Sequence, residues 1–421
     1  MDSQQHPARF AWLPTAITGL TVVCVLAIAG SRAAPAQTFT LLHTFTGGTD
    51  GKQPETGMTL DQAGNLYGTT FQGGTGYGTV FRLSHRNSGW VLNPLYAFRG
   101  GTDGNGPLTQ PRFGPDGTLY GTTQGGGNNY GTVFNLRPPA TVCAGVLCPW
   151  TETQLYAFTD RGDSEYPQGN LAFDPAGNLY GAAAGFNIAG GYGPPSQSNG
   201  SIYELIHAGG TWTVDVLWAF PVLQGGGYNP EGGVILDQTG KVYGTTVFGG
   251  DFNDGTVFVV QREGFGWDLT TLHSFNGNDG RFPQAGLVAD SEGNFYGATS
   301  GGGRSQSGVI FEMTPSNGGW NFKLLYQLHF GTGGLMSTLA IDAGGNLYGS
   351  TYAGGQHGQG NVFKLSPSGG TWTYTDLYDF TGGSDGYSPI GGVTVDAAGN
   401  IYGTASEGGT DGAGTTWEIT Q

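Results

Sequence analysis

The chain has 421 residues, of which 82 are glycine, and a formal net charge of −16 with only 15 lysines and arginines. A protein this acidic lacks the basic surface that nucleic acids and anionic membranes attract, so we exclude DNA and RNA as partners. Hydrophobic residues make up 37% of the chain, which excludes a disordered low-complexity protein. The apolar clusters are short and are separated by Gly, Asn, Asp and Pro, a pattern typical of many short strands joined by turns.

The first 36 residues differ from the rest of the chain. Arg9 precedes the apolar run "FAWLPTAITGLTVVCVLAIAG", and "APA" at 34–36 fits a small-x-small cleavage site. This order predicts a secretory signal peptide over residues 1–36. We expect cleavage near Ala36, which would leave residues 37–421 secreted or periplasmic. The alternative is an uncleaved anchor, because the apolar run is long enough to span a bilayer; the membrane contact would then be through the leader alone.

A glycine-tyrosine motif recurs seven times after the leader. It reads GNLYG, GTLYG, GKVYG, GNFYG or GNIYG, and its tyrosines are 52 to 63 residues apart. A period of this length indicates a solenoid, a propeller or an array. The tyrosines are Tyr67, Tyr120, Tyr180, Tyr243, Tyr296, Tyr348 and Tyr402.

Each repeat contains four predicted strands. In the first repeat they are "GMTLD" at 57–61, "LYGTT" at 66–70, "GTVFRL" at 78–83 and "WVLNPLYAF" at 90–98. Four antiparallel strands repeated radially form the blade of a propeller. Alternate side chains of a strand point to opposite faces, so the tyrosines and the aromatic residues of the third strands are predicted to pack between blades. The third-strand residues are Phe81, Phe134, Tyr203, Phe258, Phe311, Phe363 and Trp417.

The two ends of the repeat region complement each other. The last repeat supplies only three strands, whereas "TFTLLHTF" at 38–45 is a strand with no blade of its own. We therefore predict an all-β fold, a seven-bladed β-propeller of four-stranded antiparallel blades, closed by strand 38–45 pairing with the C-terminal blade. This closure also removes two exposed sheet edges.

The glycine-rich loops before the third strands are not predicted to hold a phosphate. A phosphate cradle needs a helix after the loop, and here a strand follows. We interpret the glycine of "GTVF" and its equivalents as a position where the backbone is crowded at the start of a strand.

The repeated pattern "D-x-x-G-N-L-Y-G-T-T … G-T-V-F-x-L" resembles the tandem repeat of the GloVer family of exported bacterial proteins, over residues 38–421. The family is described by these repeats and by a choice of anchor at the C-terminus, and the resemblance implies no catalytic residues. This sequence ends on a predicted strand without a hydrophobic tail, which favours a secreted or periplasmic protein over an anchored one.

Aspartates recur in the loops that enter five of the seven blades, such as "TGGTDGKQP" and "TGGSDGYSP", and are absent from those of blades 4 and 6. These loops are predicted to surround the channel on one face. Carboxylates gathered there would form a partial ring suited to calcium, a cation that prefers oxygen ligands. The alternative is ordinary Asp-Gly turn chemistry, in which each carboxylate binds nearby backbone amides. The candidate metal ligands are Asp50, Asp103, Asp163, Asp279 and Asp385.

Aromatic residues lie in the loops between second and third strands on the same predicted face. The longest of these loops, 184–200, is an insertion, and long loops often carry function. Aromatic rings beside polar loops suit stacking on sugar rings; the alternative is packing of the loop over its blade. The candidate ligand-binding residues are Phe186, Tyr192, Tyr77, Tyr130 and Phe252.

Cys143 and Cys148 are close in sequence, and in an exported protein they are expected to form a local disulfide, with free thiols as the alternative.

Catalytic patterns are weak. The loop carboxylates Asp251, Asp254, Glu407 and Asp411 have no supporting motif, and the separation that glycoside hydrolysis needs cannot be read from sequence. We therefore expect a monomeric, non-enzymatic protein that binds a glycan or another cell-envelope component through the loop face. The alternatives are a carbohydrate-active enzyme, lyase or hydrolase, that uses loop carboxylates, and a structural envelope protein.

Overall fold

Strands supply almost all of the regular structure. The computed structural model describes Met1, 37–87, 89–139, 149–159, Asp163, 165–185, 199–221, 226–329, Gly331 and 333–421. Gln37–Gln421 forms one compact unit. Residues 2–36 of the predicted leader, Cys143, Cys148, Phe186 and Tyr192 lie outside the described residues.

The described strands form seven antiparallel sheets, and each sheet is one blade. The chain begins with β1 (Thr38–Thr44), which belongs to blade 7. Blade 1 contains β2 (Thr59–Leu60), β3 (Leu66–Thr70), β4 (Thr79–Arg86) and β5 (Gly89–Ala97). Blade 2 follows a single turn of 3-10 helix (Gly101–Asp103) and contains β6 (Asn105–Pro107), β7 (Arg112–Phe113), β8 (Leu119–Gly125), β9 (Thr132–Arg137) and β10 (Thr151–Ala157). Blade 3 contains β11 (Pro167–Phe173), β12 (Leu179–Ala183), β13 (Ser201–Ala208) and β14 (Thr211–Ala219).

The second half repeats the same order. Blade 4 contains β15 (Val234–Leu236), β16 (Val242–Thr246), β17 (Thr256–Glu263) and β18 (Gly266–Ser274). Blade 5 contains β19 (Val288–Ala289), β20 (Phe295–Ala298), β21 (Val309–Ser316) and β22 (Gly319–Gln327). Blade 6 contains β23 (Ala340–Ile341), β24 (Leu347–Thr351), β25 (Asn361–Ser368) and β26 (Thr371–Asp379). Blade 7 contains β27 (Thr394–Val395), β28 (Ile401–Ala405), β29 (Thr415–Thr420) and the returning β1.

The N-terminal strand closes the ring, as predicted. β1 pairs antiparallel with β29, from Thr38 opposite Thr420 to Thr44 opposite Thr415. The sheet of blade 7 therefore combines the two ends of the described propeller, and the seven-bladed all-β fold predicted from the repeats is confirmed.

The recurring tyrosine of the second strand packs between neighbouring blades, which confirms its predicted role. The ring of Tyr67 in blade 1 lies 5.1 Å from the ring of Phe113 and 6.1 Å from that of Trp150, both in blade 2. The Tyr67 hydroxyl donates to Asp61 Oδ2 at 3.1 Å in the turn before β3. Each such contact combines apolar packing with a satisfied polar group.

The glycine of each second strand makes room for an aromatic ring of the third strand. A Cβ added to Gly68 would lie 2.5 Å from Phe81 Cζ, and one added to Gly297 would lie 2.4 Å from Phe311 Cζ. The equivalent distances are 2.2 to 2.7 Å in the other blades, at Gly121, Gly181, Gly244, Gly349 and Gly403. Because the rings are fully buried, the repeated Tyr-Gly pair encodes a close contact between backbone and ring.

The loops that enter each blade and the loops between second and third strands meet on one face, as predicted. In blade 1, Gly74 N donates to Gly48 O at 2.8 Å, and in blade 7, Gly409 N donates to Gly383 O at 3.1 Å. We call this side of the propeller the loop face.

In six of the seven blades, a proline of the entry loop packs on the glycine before the third strand of the preceding blade. Gly78 has a φ of 96°, and a Cβ added there would lie 2.6 Å from Pro107 Cδ. Pro54, Pro167, Pro230, Pro283 and Pro389 contact the equivalent glycines of their neighbours. This confirms the interpretation of these glycines as crowded backbone.

Candidate functional site

Seven side chains, one from each blade, converge on the loop-face end of the central channel. Each is the residue after the entry-loop proline, or its counterpart in blade 6, where Leu335 replaces the proline. With the small residues behind them they line a cavity of about 200 Å³, which we call the channel mouth. The seven residues are Glu55, Leu108, Gln168, Glu231, Gln284, Met336 and Ile390.

The residue before the proline holds the channel mouth in place through an unusual backbone conformation. In five blades this residue is not glycine, yet its φ lies between 56° and 63°, which is costly for a residue with a Cβ. Hydrogen bonds offset the cost, because Phe282 N donates to Asp254 O at 2.8 Å and Phe282 O accepts from Ser300 N at 3.1 Å. The five residues are Gln53, Tyr166, Asn229, Phe282 and Ser388.

The channel mouth has a polar arc and an apolar arc. Gln168, Glu231 and Gln284 come from the consecutive blades 3, 4 and 5, whereas Met336 and Ile390 come from blades 6 and 7. Among the described lining residues there is no lysine, arginine or histidine. The site therefore offers amide and carboxylate groups opposite an apolar wall, and it presents no cation to an anionic group.

Glu231 is the centre of the polar arc. Asn229 Nδ2 donates to Glu231 Oε1 at 3.1 Å, and Gln284 Nε2 donates to Glu231 Oε2 at 3.2 Å. Burial raises the pKa of Glu231, although the hydrogen bond from Gln284 opposes that rise. The carboxyl group is held in one orientation by two amides from blades 4 and 5.

Three aromatic rings of the loop face lie next to the polar arc in sequence. The rings of Tyr228 and Phe248 stack with centroids 5.4 Å apart, and the ring of Phe282 lies 5.3 Å from that of Phe248. The Arg281 guanidinium covers the Phe282 ring at 4.7 Å. We call Tyr228, Phe248 and Phe282 the aromatic shelf. Phe248 belongs to the same loop of blade 4 as the predicted Phe252.

On the opposite side of the channel mouth, Glu55 lies within reach of the charge of Glu407. Burial, together with the nearby charge of Glu407, raises the pKa of Glu55 to about 7. The Tyr387 hydroxyl donates to Glu407 Oε2 at 2.6 Å. Four loop carboxylates were considered in the sequence as catalytic. In the described part of the chain, Glu407 is the one of these four that raises the pKa of Glu55.

The channel narrows below the mouth. Asn170 Nδ2 of blade 3 donates across the channel to Thr338 Oγ1 of blade 6 at 3.2 Å. Gln110 Nε2 of blade 2 donates to Met58 O of blade 1 at 2.8 Å. Gln110, Asn170 and Thr338 line both the mouth and the cavity beneath it, and we call these three residues the neck.

The described predicted aromatics do not converge on the channel mouth. Phe252 is 61% exposed and Tyr77 is 45% exposed, and each lies in the loop of a different blade. Tyr77 lies over Gly100, where an added Cβ would be 2.8 Å from the ring. Tyr130 packs against the apolar core between blades 2 and 3. Tyr77 and Tyr130 thus make the loop-packing contacts that were the alternative to ligand binding, and their binding role stays a prediction.

The predicted aspartates each serve their own loop. In the loop that enters blade 7, Asp385 accepts hydrogen bonds from Thr381 N at 2.8 Å and from the Tyr378 hydroxyl of blade 6 at 3.0 Å. Asp103 and Asp163 bind a tyrosine of the outermost strand in the same way, at 2.5 and 2.6 Å. In the same arrangement, Asp50 lies 3.1 Å from His43 Nε2 and Asp279 lies 3.2 Å from His273 Nε2.

These contacts fit the turn interpretation of the aspartates. Burial raises the pKa of Asp385, but the hydrogen bonds from Thr381 and Tyr378 outweigh burial and hold it below its ordinary value. None of the five aspartates lines the channel mouth. Within the described ranges, no three His, Cys, Asp or Glu side chains lie close enough to hold a metal ion. Calcium at these loops stays a prediction.

The channel mouth was missed in the sequence although a signal for it was present. The residue after the proline is Glu, Leu, Gln, Glu, Gln or Ile in the blades that have the proline. A search for recurring residue types does not detect such a position, because the fold fixes where the side chain lies but does not fix which amino acid it is. Position relative to the entry-loop proline is the signal that would have found it.

The described strands, the closed ring and the lined channel define a seven-bladed β-propeller with a cavity of about 200 Å³ on its loop face. The model of the Gloeobacter/Verrucomicrobia repeat matches residues 31–194 and 190–417. The chain therefore belongs to this repeat family, and the resemblance seen in the motif is confirmed. In the part of the chain that the structure describes, we find no helix with the length and hydrophobicity that a bilayer crossing requires.

Solved structures are similar to this chain at low identity. The polysaccharide lyase Uly1 is 12% identical, with a TM-score of 0.46 over 87% of this chain and 90% of that one. A protein of unknown function from Dyadobacter fermentans is 12% identical, with a TM-score of 0.45 over 92% and 99%. A candidate 6-phosphogluconolactonase from Bacteroides uniformis is 14% identical, with a TM-score of 0.47 over 77% and 83%. A comparison with curated proteins gives no match. These similarities carry no argument about activity.

Proposed function

We propose that this protein is exported and binds a neutral glycan of the cell envelope at the channel mouth. The observation that carries the proposal is the lining of that cavity. Amides and a carboxylate of Gln168, Glu231 and Gln284 face the apolar Met336 and Ile390. Sugar rings carry hydroxyl groups on their edges and C–H groups on their faces, and a cavity with a few placed polar groups opposite an apolar wall suits such a ligand.

The electrostatics favour a neutral ligand over an anionic one. The described residues of the channel mouth include two glutamates and no basic side chain, and the whole chain has a formal net charge of −16. A phosphate or sulfate at the mouth would meet like charge without a compensating cation. Hydroxyl groups can donate to the carboxylates and accept from the amides.

The aromatic shelf extends this site across the loop face. Phe282 lies two residues before Gln284, and Tyr228 lies three residues before Glu231. A saccharide longer than one ring would have one unit at the channel mouth and a further unit on Phe248 and its neighbours. This extension supports an oligosaccharide or polysaccharide as the ligand.

A second candidate function is carbohydrate cleavage at Glu55. A carboxyl group with a pKa of about 7 is suited to proton transfer near neutral pH, and Tyr387 and Glu407 form a hydrogen-bonded pair of 2.6 Å near it. In this role Glu55 would donate a proton to the leaving oxygen or accept one from the sugar.

The test combines binding and cleavage in one set of tubes. The purified protein is mixed with a panel of soluble and insoluble polysaccharides, and retained protein and newly formed sugar ends are both measured. Binding at the proposed site predicts that Phe248→Ala weakens retention, whereas Phe265→Ala, which removes the exposed ring of a turn between the two outer strands of blade 4, does not.

Glu55→Gln separates the two functions. If the protein only binds, new ends are absent in every tube and Glu55→Gln retains the polysaccharide. If it cleaves, Glu55→Gln abolishes new ends while Glu292→Gln, at an exposed position in the turn before β20, leaves them unchanged. Neither retention nor new ends across the panel would contradict both functions and favour a structural role.

A further inference from the structure

The channel below the neck is a second cavity with different chemistry from the mouth. Its volume is about 510 Å³. The innermost strands supply its wall, which is mostly apolar: Phe173, Ile235, Leu236, Leu287, Val288, Ile341 and Val395 are among its residues. One charged side chain, Arg112 of β7, lies among the described residues that line it.

The position of Arg112 is exceptional among the blades. In every blade the residue at this point of the innermost strand pairs with the recurring tyrosine of the second strand, as Arg112 does with Tyr120. The other six blades place small or apolar side chains there: Thr59, Ala172, Ile235, Val288, Ala340 and Thr394. The fold therefore does not require a cation at this level of the channel.

Arg112 also has no charge partner in the described part of the chain. Among the described residues, its side chain forms no ion pair and donates no hydrogen bond. Arg112 is exposed to solvent within the channel, although the protein around it lowers its pKa by partial desolvation. An arginine stays protonated even so. A solvent-exposed guanidinium without a carboxylate beside it is available to pair with an anionic group that enters the channel.

We propose that the channel below the neck binds a small organic carboxylate with an apolar body, and that the Arg112 guanidinium is its anchor. The guanidinium presents parallel N–H groups that match the two oxygens of a carboxylate. The single positive charge matches a monoanion, and the apolar wall matches a hydrocarbon or ring behind the carboxylate. A phosphate dianion fits less well, because one cation leaves half of its charge without a partner.

This site is separate from the one proposed for the glycan. The hydrogen bond between Asn170 and Thr338 spans the neck between the two cavities, and Arg112 does not line the mouth. The two proposals can therefore succeed or fail independently.

The test is a calorimetric titration of the purified protein with hexanoate, hexanol and inorganic phosphate. Arg112→Thr is the diagnostic variant, because Thr59 and Thr394 already occupy the equivalent position in blades 1 and 7. Arg262→Thr, which removes a guanidinium stacked on Trp267, is the matched control. We expect hexanoate to bind more tightly than hexanol and phosphate, and Arg112→Thr to lose about tenfold or more of that affinity, with Arg262→Thr unchanged.

The stability of the ligand-free variant tells an anchor from a structural arginine. Removing a cation that has no partner should leave the urea midpoint of Arg112→Thr unchanged or higher. A lowered midpoint together with unaltered hexanoate affinity would assign Arg112 a structural role and overturn the proposal. Equal affinity for hexanol, tighter binding of phosphate, or no binding of hexanoate would overturn the assignment of a carboxylate ligand.

Discussion

Substitution of Gly297 by alanine tests whether the repeated glycine exists to admit the third-strand ring. A Cβ at this position would lie 2.4 Å from Phe311 Cζ, 2.9 Å from Phe311 Cε1 and 3.0 Å from Leu287 Cδ2. Favourable carbon–carbon contacts begin near about 3.5 Å, so the ring would have to retreat by roughly 1 Å. Phe311 is fully buried, and Phe275 and Phe322 stand 5.3 and 5.6 Å from it, which leaves it no space.

We expect Gly297→Ala to lower the free energy of unfolding by about 2–3 kcal/mol, the upper part of the range for overpacked cores. Urea denaturation followed by tryptophan fluorescence measures the change. Gly319→Ala is the matched control in the same blade, because an added Cβ there contacts nothing within 4 Å, and it should cost less than about 0.5 kcal/mol. Phe311→Leu should recover part of the loss, with a coupling of about 1 kcal/mol in the double variant. Equal costs for the two alanine variants, or additive effects in the double variant, would refute the reasoning.

Three further predictions concern titrating and hydrogen-bonding groups. Glu55 binds a proton more tightly in the folded state, since its pKa is raised to about 7; its stabilising contribution is complete below the unfolded pKa of about 4.3 and is lost as the pH rises through about 7. Glu55→Gln should therefore raise the melting temperature at pH 8 relative to wild type and have little effect at pH 4. Asp61 behaves oppositely: burial raises its pKa, but hydrogen bonds from Asn65 and Tyr67 outweigh burial and hold the pKa below its ordinary value. The stability that Asp61 confers should therefore be present above about pH 4 and be lost in more acid solution. Asp61→Asn should weaken that dependence of stability on acid pH. Tyr378→Phe removes the hydroxyl that donates to Asp385 and should cost about 1 kcal/mol, whereas Tyr77→Phe, at a 45% exposed position, should leave the urea midpoint unchanged.

The fold could be predicted from the sequence because its information is repeated. The seven tyrosines, the glycines beside them and the third-strand aromatics recur in register, so each repeat tests the interpretation of the others. The closure of the ring by 38–45 followed from counting strands. Only the exact contacts were missing, such as the packing of Pro107 on Gly78.

The candidate site could be predicted less well, because its residues lie where the repeats differ. The Asp-Gly turns were predicted as a site because they recur. They recur because the aspartates stabilise the turns: Asp385 accepts a hydrogen bond from Tyr378 of the outermost strand. Which way an aspartate points depends on a partner in another strand, and spacing alone does not supply that direction. Glu231 and Arg112 are charged residues at positions where most of the other blades have uncharged ones. Aligning the repeats and asking where one blade departs from the rest would have found Arg112.

The glycan affinity of variants at the polar arc tests the central claim most directly. The double variant Gln168→Ala, Gln284→Ala removes two amides of the channel mouth, and Gln261→Ala removes one from the third strand of blade 4 as a control. With an oligosaccharide that the wild type retains, we expect the double variant to lose about tenfold or more in affinity, the sum of two hydrogen bonds of ordinary strength, and the control to match wild type. Unchanged affinity in the double variant, with its fold intact, would show that the ligand binds elsewhere and would contradict the account.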